Sequence, residues 1–138
     1  MRGMAQIIAF TVAAVCAGPV LAEEMVTGVY LQSTELCEQA RKESLQAVLE
    51  AGNAMLTARG IEAIEYDCEF VQATKATRSP AWLVQAICQE PGYVQPDVFS
   101  LTQLSPTQID LVSVKPEEPD GGGGNGGSAF LCEGVSAP

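Results

Sequence analysis

Three carboxylates alternate along one short stretch, IEAIEYDCEFVQ: Glu65, Asp67 and Glu69 share one parity, and Ile64, Tyr66, Cys68 and Phe70 the other. On an extended strand, side chains of equal parity leave the same face, and next-nearest residues stand roughly 7 Å apart. Carboxylates at that separation could divide the acid and nucleophile roles of a glycoside hydrolase, which holds them about 5–10 Å apart across a cleft. They could equally attract a cation or the basic side chains of a partner. A catalytic acid needs burial to raise its pKa. A charged parity backed by an apolar one reads instead as the solvated face of a half-buried strand. Glu65, Asp67 and Glu69 are therefore candidate partner-binding residues, and no residue is assigned a catalytic role.

The chain contains no histidine. That removes Ser-His-Asp and Cys-His nucleophile activation, His-liganded zinc and the usual general base near neutral pH. Tyr66 and Trp82 could line a ligand pocket inside a small barrel, but residues of this type more often fill the core. The run GGGGNGG, residues 121–127, lacks the Gly-Lys-Ser/Thr of a phosphate loop. It also occurs once, without the stacked copies of a calcium-binding repeat. It reads as slack between two strands, a flexible glycine-rich loop over 116–128. No metal or other cofactor is expected.

The first residues, MRGMAQIIAFTVAAVCAGPVLAEE, have the basic start, apolar stretch and small-residue end of a secretory signal, with cleavage after Ala22. Cys16 would leave with that leader. Cys37, Cys68, Cys88 and Cys132 remain, and an even set of widely spaced cysteines in an exported chain reads as two disulfides. The preferred pairing is Cys37–Cys68 with Cys88–Cys132, which would pin a helix onto a central strand and anchor the last strand. Cys68–Cys88 across a hairpin, with Cys37–Cys132, is the competing arrangement. No CxxC motif supports a redox centre or a zinc ribbon.

These residues need a scaffold. Residues 26–32 read as a first strand, and Ser33 and Thr34 can cap a helix running through residues 35–52. Glu38 and Lys42 form an i,i+4 pair on it. A short strand over AMLTARG, the strand IEAIEYDCEFVQ and AWLVQAICQ follow. In the last, Trp82, Val84, Ala86 and Cys88 share a face, so it forms a hairpin with the preceding strand. Pro91 and Gly92 suit a turn. VFSLTQL and QIDLVSVK make another pair, and SAFLCEGV is a final strand. The predicted fold is α+β: a small antiparallel sheet or barrel-like domain, residues 23–138, with one helix after the first strand and two disulfides.

Seventeen Asp and Glu oppose seven Lys and Arg, for a net charge of −10. That balance argues against nucleic acid and anionic membranes and favours a basic protein or cationic ligand. No stretch after the leader is long and apolar enough to span a bilayer. GVYLQS before a cysteine-bearing helix, then GIEAIEYDCEF, AWLVQAICQEPG and FLCEG, resembles a loose group of small, four-cysteine, β-rich periplasmic proteins of alphaproteobacterial type. That resemblance implies a fold and a compartment, and brings no catalytic residues. The expected function is a non-enzymatic periplasmic or secreted binding or structural domain. The alternative is a protein inhibitor of a basic secreted hydrolase such as lysozyme, and a weaker one is a carboxylate-dependent glycan hydrolase.

Overall fold

The computed structural model describes residues 25–115 and 126–138. The expected leader, residues 1–22, and residues 116–125 of the expected glycine-rich loop lie outside the described residues. Eight strands follow in chain order: β1 Tyr30–Leu31, β2 Met55–Thr57, β3 Gly60–Ala63, β4 Tyr66–Lys75, β5 Ala81–Glu90, β6 Tyr93–Ser105, β7 Gln108–Ser113 and β8 Gly127–Leu131. Each pairs antiparallel with its neighbours in sequence, and β8 returns to β1, so the sheet closes into a barrel. Among the described residues, every strand has a partner on both sides, so closure leaves no edge strand. The architecture is a β-rich barrel with two short helices, and the α+β reading with one long helix is corrected accordingly.

Period-two alternation builds the barrel interior. Trp82, Val84, Ala86 and Cys88 point inward from β5, as their shared parity predicts, and meet Phe70, Phe99, Leu101 and Ile109 in one apolar cluster. Phe70 and Phe99 pack as tilted rings with centroids 6.1 Å apart. β4 and β5 form a hairpin of two ten-residue strands. Its strand β4 extends through Thr74 and Lys75, beyond the Gln72 end of the expected strand, and a bulge at Val71 lies between the pairs Phe70↔Ala86 and Gln72↔Gln85. The stretch read as one strand over IEAIEYDCEFVQ is two. Ala63 pairs with Tyr66, so Ile64 and Glu65 form a two-residue turn and Ile64 is exposed.

The helical segment also divides. Ser33 caps α1, Thr34–Lys42, accepting from the Leu36 N–H, and Glu38 and Lys42 stand 3.7 Å apart on its exposed side. Ser44 then adopts an extended backbone and caps α2, Leu45–Glu50, accepting from the Ala47 N–H. Gly52, at a φ of 89°, turns the chain away from α2 where a stop is expected. Both helices cover the outside of the barrel wall. Leu31 and Met55, whose strand neighbours Tyr30 and Leu56 point inward, join Cys37, Ala40, Val48 and Leu49 in a second buried cluster.

The two clusters decide the disulfides. Cys37 bonds to Cys132 and Cys68 to Cys88, so the preferred pairing Cys37–Cys68 with Cys88–Cys132 is corrected in favour of the competing one. Cys68 and Cys88 are directly opposed residues facing the barrel interior. Cys37 lies outside the wall with Cys132 in the helical cluster. A Cys37–Cys68 bond would have to pass through the sheet.

Among the described residues one carboxylate is buried. Asp97 on β6 accepts from the Val98 N–H at 2.7 Å, and the Ser113 Oγ on β7 lies 2.9 Å from both of its oxygens. Ser113 in turn accepts from the Lys115 N–H, so this network closes the β6–β7 ladder at its end.

Candidate functional site

The acidic face begins at the β2–β3 corner. Gly60 has a φ of +146°, and a Cβ on it would collide with the Cys68 carbonyl, so only glycine lets β3 lie this close to β4. The corner aims Arg59 back along β3. Its Nε and a terminal guanidinium nitrogen each donate to Glu62, both at 3.1 Å, in a bidentate pair. The buried Thr57 supports the pair from β2, its hydroxyl 3.3 Å from Glu62 Oε1.

Glu62 is directly opposite Asp67 on β4, and Gly60 is opposite Glu69. Asp67 accepts from the Gln89 side-chain amide on β5 at 3.0 Å. Glu69 is exposed, and its side chain makes no hydrogen bond or ion pair among the described residues. Arg59, Glu62, Asp67 and Glu69 line an open groove of about 670 Å³ beside the outer wall, together with Ala58, Ala63, Cys68 and Phe70. Asp67 and Glu69 therefore share one face, as their parity predicts. Glu65 does not join them: it sits exposed in the β3–β4 turn. Glu62 takes its place, a residue sequence reading passed over because the parity of the apolar residues switches at that turn. Ile61 as an inward odd-numbered residue, against Cys68 and Phe70 as inward even-numbered ones, is the signal that could have found it.

Two hairpin tips stand beside the groove. Asp67 pairs with Gln89, which places the Ile64–Glu65 turn next to the turn at Pro91 and Gly92. Gly92 has a φ of 82°, as the expected turn requires, and Tyr93 and Val94 leave it exposed. Carboxylates and apolar side chains thus alternate around one rim of the barrel.

Tyr66 and Trp82 do not form a joint pocket. Tyr66 is half-buried, with its hydroxyl 2.8 Å from Cys68 Sγ. Trp82 is buried at the other end of the same hairpin, opposite Lys75, whose ammonium lies 5.6 Å from the ring centroid. Nine residues of strand separate Tyr66 from Lys75, about 30 Å at the usual rise. Trp82 belongs to the core and Tyr66 packs against its edge.

The carboxylates stand side by side on an open wall, and among the described residues no two of them face each other across an enclosed cleft. One negative charge is matched by Arg59, and those of Asp67 and Glu69 face solvent. Such an arrangement attracts cations by long-range field and offers acceptors to Lys or Arg side chains. Among the described residues, no group of three His, Cys, Asp or Glu side chains converges to hold a metal ion. Comparison of the chain with protein-family models, curated proteins and solved structures finds no match.

Proposed function

We propose that this protein is an exported binding module, without catalytic activity of its own, whose acidic outer face engages a basic protein or cationic ligand. The observation that carries the reading is the pair Asp67 and Glu69, held side by side on an open groove with their charges toward solvent. Two disulfides support an oxidising compartment outside the cytosol. Among the described residues no helix is long and apolar enough to cross a membrane. The resemblance to four-cysteine periplasmic proteins points the same way.

Calorimetric titration of the oxidised protein with oligo-lysine, at low and at high salt, tests the reading. Binding is expected at low salt, weakening as salt rises because the contacts are solvent-exposed, and falling in the Asp67→Asn/Glu69→Gln double variant. Absence of binding, or binding indifferent to both salt and substitution, overturns it.

A second reading, inhibition of a basic secreted hydrolase such as lysozyme, is favoured by the adjacent tips that carry Ile64, Glu65 and Tyr93. These could enter a cationic cleft as a pair. Slowed turnover of bacterial cell walls by lysozyme, relieved by Tyr93→Ala, supports it, and undiminished lysozyme activity at excess protein removes it. Glycan hydrolysis by the carboxylates is the weakest reading, because Asp67, Glu69 and the neighbouring Glu62 lie on one sheet face, and among the described residues no carboxylate faces them across a cleft.

A further inference from the structure

Next to the acidic groove, the barrel wall turns apolar. Val71, Leu83, Ile87, Val94, Val112 and Val114 all project outward from β4–β7 or their immediate ends, with Val94 63% and Val114 67% exposed. The register makes them one surface. Ile87 is opposite Pro96, Gln85 is opposite Val98, and Leu83, Ser100 and Val112 form a row across three strands. Val114 continues the sheet beside Val98 through its N–H to the Val98 carbonyl. On β1 and β2, by contrast, α1 and α2 bury the outward residues Leu31 and Met55. A contiguous aliphatic patch left open beside a charged groove marks an interaction site.

We infer that this face docks a basic amphipathic helix of a partner protein, apolar stripe against β5–β7 and Lys or Arg side chains toward Asp67 and Glu69. The inference deepens the acidic-face reading above and rests on it. Three features select the occupant. The barrel is closed, so among the described residues no edge strand is free to accept a partner strand by backbone hydrogen bonds, and recognition must run through side chains. From β5 to β7 the wall is about 10 Å wide, the diameter of one helix, and from Leu83 to Gln89 it is about 20 Å long, nearly four helical turns. The flank of the patch is anionic: Glu69 is opposite Ile87, and Asp67 is opposite Gln89. A second copy of a chain with net charge −10, or an anionic bilayer, would bring like charge to that flank. The interior is the apolar core, the reverse of a membrane-spanning barrel.

The probe is a synthetic helix of about 15 residues with Leu along one face and Lys along its flank. Controls are the same composition scrambled out of register, and the same helix with Glu for Lys. With the full oxidised protein, the Leu/Lys helix is expected to bind and to shift backbone amide resonances of Ile87, Val98 and Val112. The controls are expected to be silent. Leu83→Ser/Val112→Ser, at exposed positions, is expected to weaken binding about tenfold while leaving the amide spectrum elsewhere unchanged. Asp67→Asn/Glu69→Gln should weaken it as well and flatten its salt dependence. Loss with the carboxylate variant but none with the Ser variant overturns the docking face and leaves the acidic-face reading standing. Indifference to both variants overturns both readings. Dimers in sedimentation that dissolve in the Ser variant, or binding to phosphatidylglycerol vesicles, overturn the assignment of the occupant.

Discussion

The Cys37–Cys132 bond closes a separation of 95 residues and the Cys68–Cys88 bond one of 20. The two staples should therefore differ measurably in what they contribute. Chain entropy removed from the unfolded state grows with the logarithm of the loop, which gives about 4.7 kcal/mol for the long closure and about 3.3 kcal/mol for the short one. All four cysteines are buried, so Ala substitution at either pair loses comparable packing and the difference isolates loop length. Cys37→Ala/Cys132→Ala should then be less stable than Cys68→Ala/Cys88→Ala by about 1.4 kcal/mol, a tenfold difference in the folding constant. Urea unfolding of both double variants under non-reducing conditions reads this directly, with m-values checking that the unfolded states are compared fairly. Peptide mapping is the independent arm. Cleavage at Lys, Arg and Glu places each of these cysteines on its own fragment, and the fragment with Cys37 should carry the one with Cys132. A reversed order of stability refutes the entropic reasoning, and a Cys37–Cys68 fragment refutes the two-cluster arrangement from which it starts.

Three further outcomes are expected. Gly60→Ala forces a Cβ against the Cys68 carbonyl at a positive φ, and should lower stability by more than about 2 kcal/mol in thermal or urea unfolding. Asp97→Ala strips the Ser113 hydroxyl and the Val98 N–H of their buried acceptor, at a cost of about 1–3 kcal/mol, whereas Asp97→Asn, which keeps one acceptor oxygen, should cost less. Glu35 is held below the ordinary carboxylate range by its own backbone N–H in the first turn of α1 and then by Ser33. A lowered folded pKa stabilises above the unfolded value and is lost as pH falls through the folded one. Glu35→Gln should therefore remove that increment from the neutral plateau and flatten the acid limb, with the two proteins converging in stability at pH below the folded pKa.

The hairpins of the barrel were legible where physics acts locally. The alternation of Trp82, Val84, Ala86 and Cys88 marks an inward face whatever the strand pairs with, and Ser33 can cap a helix with no help from tertiary structure. The divisions were not legible, because each lacks a local signature. The turn at Ile64 and Glu65 uses no glycine, and no non-glycine residue among those described has a positive φ. Ile64 therefore reads as one more apolar member of an alternating strand. Ser44 lies within a helical periodicity that continues across it, and only its extended backbone separates α1 from α2. The acidic site was half visible for the same reason: Asp67 and Glu69 follow from parity, while Glu62 depends on a strand reversal. The disulfide pairing was beyond local reading, since it turns on which side of the wall α1 lies.

The Cys37–Cys132 bond makes the enclosed chain a covalent ring. A protease that nicks any exposed turn between these residues, such as the 76–80 loop, cuts the ring once and releases nothing. Inside that ring, a nick between Cys68 and Cys88 leaves the two halves of the β4–β5 hairpin bridged by a second sulfur bond. Either way the severed ends stay tethered at the high effective concentration of an intramolecular encounter, and a locally opened barrel can close again without a search through solution. Damage that would dismantle a linear chain leaves, here, a cut whose ends remain joined through sulfur.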